Sequence, residues 1–202
     1  MSRIRSLALI GAGMASVLAL TMSPASAATT SIRSGSISGT LYAGGVTMTN
    51  LRDIRVTNSL GDTTCTSAVH SGTINPNGTN LNITSATFSG CTGGLGAVAM
   101  TAQNLPWSGG SVAYSPVAYG RDGTITIGNY TISMTVSGLN CVYSGALVGA
   151  VYNPGNPLQH LAVVINGTVT KSGGSFLCAS TATVEAVYQL VGSGGEHLWV
   201  TS

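Results

Sequence analysis

Four cysteines, Cys65, Cys91, Cys141 and Cys178, are the residues of this 202-residue chain best suited to covalent chemistry. Cysteine thiolates serve as metal ligands, redox pairs or disulfide halves, and spacing separates these uses. The intervals of 26, 50 and 37 residues include no Cys-x-x-Cys and match no zinc pattern. An even number of cysteines behind an export signal reads as two structural disulfides. Three pairings are open. An internal repeat, described below, favours Cys65 with Cys91 and Cys141 with Cys178.

The remaining candidates for chemistry are sparse. His70, His160 and His197 are isolated, with no His-x-His or His-x-x-x-His spacing to hold a metal. Glu196 and His197 are adjacent, but neighbours on a strand point to opposite faces. No Gly-x-Ser-x-Gly elbow is present to raise a serine nucleophile. The five carboxylates of the chain offer no pair by spacing that could face each other across a glycosidic bond. The residues therefore predict no catalytic centre, no metal and no cofactor. Trp107, in "NLPW", and Tyr114 are the candidate ligand contacts, with Trp199 and Tyr119 as further aromatic residues. Exposed rings of this kind stack on flat apolar faces of sugars and small molecules. The competing reading places Trp107 as a plug at one end of the core, with Pro106 ending the strand before it.

Positioning such residues falls to strands. Glycine interrupts every candidate helical window, and period-two alternation dominates. In "GNYTISMTVSG", Tyr130, Ile132, Met134 and Val136 share one face, and hydroxyls occupy the other. "TATVEAVYQLV" sets Val184, Ala186, Tyr188 and Leu190 on one side in the same way. "SISGTLYAG", "VTMTN", "DIRVTNS", "LNITSATF", "GAVAMTAQ", "SVAYSPVAY", "SGALVGAVY" and "LAVVINGTVTKS" read as further strands. Asp122-Gly123, "NPNGTN" and "NPGNP" read as turns. About a dozen short strands with regular turns predict an all-β fold, an antiparallel β-sandwich or a barrel.

Two stretches share a plan. "CTSAVHSGTINP" from Cys65 resembles "CVYSGALVGAVYNP" from Cys141, and each leads through an apolar strand to the second cysteine of its half. The related segments span residues 33–107 and 111–191, either as halves of one unit or as two small tandem ones.

The first 27 residues read as a secretory signal. Arg3 and Arg5 precede an apolar run, and Ala25-Ser26-Ala27 offers small residues before cleavage between Ala27 and Ala28. The run is short for a membrane span and contains glycine and serine, so no integral span is expected in the mature chain, residues 28–202. Cleavage would leave five basic and five acidic residues. No basic patch survives to bind phosphates, which excludes nucleic acid as a partner. Charged residues form 6% of the chain, against about 25% in ordinary soluble domains. Little repulsion therefore opposes self-association.

At "TSATFSGC", "NLPW" and "FLC…ATVEAVY" the chain resembles a group of small secreted actinomycete proteins that share four cysteines in similar order and have no assigned activity. The resemblance implies a bacterial exported protein with an all-β fold, and it transfers no catalytic residue. The leading expectation is a non-catalytic extracellular protein associated with the cell surface, with the cell wall or with itself, since low-charge strand edges invite pairing. The alternative is a carrier for a small apolar or sugar ligand held by Trp107 and Tyr114. A remote third is a secreted hydrolase assembled from distant Ser, His and Asp residues.

Overall fold

The structure is a computed structural model that describes residues 29–155 and 159–202. The export segment expected over residues 1–27, with its cleavage site at Ala27 and Ala28, lies outside the described residues. Twelve strands follow in order: β1 (Ser31–Ser34), β2 (Gly44–Asn50), β3 (Ile54–Asn58), β4 (Gly61–Ile74), β5 (Leu81–Gly93), β6 (Gly96–Ala102), β7 (Trp107–Tyr114), β8 (Gly123–Val136), β9 (Leu139–Tyr152), β10 (Leu161–Gly174), β11 (Thr181–Gly192) and β12 (Leu198–Thr201). No helix occurs among the described residues, so none there is long and apolar enough to cross a membrane.

The pairings close a barrel. β2 and β3 both lie antiparallel between β4 and β11, as two stretches of one strand interrupted at residues 51–53. β6 and β7 likewise share β5 and β8 as neighbours and form one strand broken at residues 103–106. With these merged, eight antiparallel strands follow one another around the wall, and β11 returns to β2 and β3. Of the two architectures the alternation allowed, the chain adopts the barrel. Closure pairs the edges that a sandwich would expose. The strands of segments 33–107 and 111–191 enter this one sheet. In each half a disulfide ties the second barrel strand to the end of the third: Cys65 to Cys91, and Cys141 to Cys178.

Alternation sorts the wall into an apolar inside and a hydroxyl-rich outside. Val184, Ala186, Tyr188 and Leu190 of β11 are all buried, while Thr181 and Glu185 are exposed. On β8 the inward phase changes midway. A bulge at Gly128–Asn129, where Asn129 has φ +49°, shifts the register. Ile125 and Ile127 before it and Tyr130, Ile132 and Met134 after it are therefore all buried. The barrel centre is filled, since Trp107, Met48, Leu147 and Ile165 each expose 2% or less of their surface. Hydroxyls on the outer wall contrast with the outward apolar band of membrane-spanning barrels.

The two ends differ. At one, β1 and β12 pair and bury Ile32, Leu198 and Val200 as a cap. Asn153 fastens it by donating to the Val200 carbonyl at 2.9 Å and accepting from the Val200 amide at 2.8 Å. The other end carries the turns β3–β4, β5–β6, β8–β9 and β10–β11. Ser137 and Gly138, at φ +48° and +81°, link β8 to β9 in two residues, the geometry that matches strand twist.

Three sequence expectations differ from the structure. Asp122-Gly123 is not a tight turn: Gly123 opens β8, and the Asp122 carboxylate accepts from the Asn153 amide at 2.7 Å. "SISGTLYAG" is a looped segment before β2 with a single bridge at Leu41, because its polar and apolar residues alternate with no neighbouring strand to pair with. "SVAYSPVAY" is strand only as far as Tyr114.

Candidate functional site

The uncapped end opens into a mouth. Beneath the turns lies a cavity of about 150 Å³ whose lining includes Leu60, Leu95, Val98, Met134, Leu139 and Tyr143. Val98 and Met134 face inward from β6 and β8, where Met100 and Met134 sit opposite each other in register. Leu60, Leu95 and Leu139 belong to three different hairpins, and the barrel brings these turn residues to one rim. Leu95 is 67% exposed, and beyond it Phe176, 88% exposed, and Leu177 extend the apolar rim along the β10–β11 connection. Burial of rim side chains by an apolar molecule removes that surface from water, which favours occupancy.

Both disulfides frame this mouth. Cys65 and Cys91 are direct partners across β4 and β5. Cys141 lines the cavity and is bonded to Cys178, holding the loop that carries Phe176 and Leu177 against β9. The lining is thus fixed at two points on its circumference, which lowers the ordering cost of binding.

Charge at the rim is balanced. Arg55 donates to the Asp62 carboxylate, and that hydrogen bond holds Asp62 below the usual carboxylate range. The Asn58 side-chain oxygen accepts from the Leu60 amide at 2.8 Å. Deeper, Tyr143 is fully buried, and its hydroxyl has no hydrogen-bond partner among the described residues. Burial pushes its phenol upward from the ordinary value, so it remains neutral.

The residues singled out by sequence lie elsewhere. Trp107 is fully enclosed in the barrel, with its ring centroid 4.6 Å from that of Tyr130 and 5.9 Å from that of His70. Its indole N–H donates to the Gln103 carbonyl at 2.8 Å. It reaches no surface. Tyr114 is half-buried at the capped end, beside an open groove lined by Arg33, Ile37, Asp122 and Asn153. Tyr119 is fully exposed and Trp199 half-buried. Trp107 and Tyr114 share no surface.

Of the histidines, His70 is buried at the barrel centre, where desolvation lowers its pKa to about 4. The fold brings together two that the sequence leaves apart: His160 and His197 stack with centroids 4.6 Å apart. His197 Nδ1 lies 2.7 Å from the Gln159 carbonyl. No third His, Cys, Asp or Glu joins them in a metal-binding group among the described residues. The carboxylates are likewise dispersed. Asp62 pairs with Arg55, Asp122 supports the cap, and Glu196 accepts from the Gly194 amide.

The mouth escaped the sequence reading, yet it left a trace. Leu60, Leu95 and Leu139 stand in or beside turns, where polar residues are the rule. No protein-family model, curated protein or solved structure matches the chain.

Proposed function

We propose that the chain is an exported, non-catalytic binding protein that takes a small, largely apolar molecule into the mouth of its barrel. One observation carries this reading: a cavity of about 150 Å³, apolar in most of its lining and open at a single end of an otherwise packed and capped barrel. Such a volume accommodates a benzene-sized body. Mouths of β-barrels are recurrent sites for small ligands. The signal-like N-terminus and two disulfides support an extracellular location, where thiols stay oxidised. The Arg55–Asp62 pair neutralises the rim, which favours an uncharged ligand.

Thermal unfolding against uncharged monocyclic compounds tests this. A ligand that binds the folded state raises the melting temperature with concentration. Val98→Trp, which fills the cavity, abolishes that rise while keeping the fold. A full panel without effect on the parent protein overturns the reading.

Association with the cell surface, the wall or a second copy is the second reading. Barrel closure removes the strand edges that first suggested it, but exposed Leu60, Leu95, Phe176 and Leu177 at the mouth favour it independently. Sedimentation of the mature protein alone and with isolated wall tests this: a free monomer in both cases contradicts it.

A further inference from the structure

The ligand of the mouth carries one polar atom, and Tyr143 identifies it. This inference rests on the binding role proposed for the cavity and adds the chemical class of what enters. Tyr143 projects from β9 into the barrel, lines the cavity and exposes none of its surface. Its hydroxyl is a buried donor and acceptor without a partner. Leaving such a group unpaired is costly, and native interiors seldom do so. The other polar side chains of the lining are committed or lie nearer the rim. Asp62 is held by Arg55, and Asn58 accepts from Leu60. Around Tyr143 the lining is Val98, Met134, Val136 and Leu139, which offer no hydrogen-bonding group.

We infer that the site selects an uncharged molecule of about six to eight non-hydrogen atoms, with an apolar body and one oxygen that hydrogen-bonds Tyr143. Small cyclic ketones, aldehydes and alcohols belong to this class. A hydrocarbon of equal shape fills the same space but leaves the phenol unpaired. Sites that satisfy a buried polar group in this way reject analogues lacking its partner.

The test uses two isosteres, cyclohexanone and methylenecyclohexane, with the parent protein and with Tyr143→Phe. Affinities come from calorimetry or from the ligand-dependent melting temperature. The phenol-to-phenyl change weakens cyclohexanone about five- to tenfold, in line with one hydrogen bond, and leaves methylenecyclohexane within twofold. Thr63→Val, at the other hydroxyl of the lining, leaves the discrimination intact. In the absence of ligand Tyr143→Phe melts no lower than the parent, since it deletes an unpaired group, and this doubles as the check on folding. Equal effects of Tyr143→Phe on both compounds overturn the inference while the cavity reading stands. Loss of discrimination in Thr63→Val instead overturns the assignment to Tyr143. Failure of both compounds to bind the parent protein overturns the cavity reading, and the inference with it.

Discussion

His70 Nε2 lies 2.9 Å from the Tyr188 hydroxyl, inside the barrel, although their strands β4 and β11 are not neighbours. The pair spans the position held by β2 and β3 and links residues 118 apart in sequence. Phe88, Trp107 and Tyr188 surround the imidazole, with ring centroids within 6 Å. This is an aromatic core with a single titratable centre.

That centre makes stability depend on pH. Folded His70 stays neutral down to about pH 4, whereas the unfolded chain takes up the proton near the ordinary value of 6.5. The unfolded state therefore binds more protons between these values. Stability is complete above pH 6.5 and falls as pH drops toward 4, by about 3 kcal/mol at most from this group. Urea midpoints measured from pH 7 to 4 give the slope. The double variant His70→Phe/Tyr188→Phe removes both partners and flattens it. An unchanged slope in that variant contradicts the assignment.

Removing either disulfide lowers stability by different routes to a similar extent. The loops closed by Cys65–Cys91 and Cys141–Cys178 span 26 and 37 residues, and unfolded-chain entropy then gives roughly 3 to 4 kcal/mol for each. The Cys141→Ser/Cys178→Ser variant additionally frees the loop bearing Phe176 from the cavity wall and weakens ligand binding. Chemical denaturation and the ligand-induced melting shift read the two effects separately. A variant with parent-like binding shows that this tether is not needed by the mouth.

Tight inward packing predicts a contrast between two glycines. A Cβ on Gly149 would lie 2.6 Å from Ile165 Cδ1 and 2.6 Å from the Val164 carbonyl oxygen, whereas one on Gly94 meets nothing within 4 Å. Gly149→Ala is expected to destabilise by about 1–3 kcal/mol through overpacking, and Gly94→Ala to change little. Equal melting temperatures for the two variants contradict this packing.

Local patterns were legible and closure was not. Val184, Ala186, Tyr188 and Leu190 alternate without interruption and all face the core as read. The disulfide pairing followed because the repeat places each cysteine pair on adjacent strands. Whether β11 meets β2 and β3 depends on twist accumulated over eight strands, which no single stretch encodes. The bulge at Gly128–Asn129 also hid the inward side of β8, since Ile127 and Tyr130 differ in parity yet share a face. Tyr143 looked like any alternating strand residue. Its interest comes from the cavity that distant turns build above it.

The most direct measurement locates a bound ligand. A crystal of the mature protein soaked with cyclohexanone should show the molecule among Val98, Met134, Leu139 and Tyr143, with its oxygen within hydrogen-bond distance of the Tyr143 hydroxyl. Density for the compound only in the Tyr114 groove at the capped end, or an empty mouth at saturating ligand, would contradict a binding site in the barrel mouth.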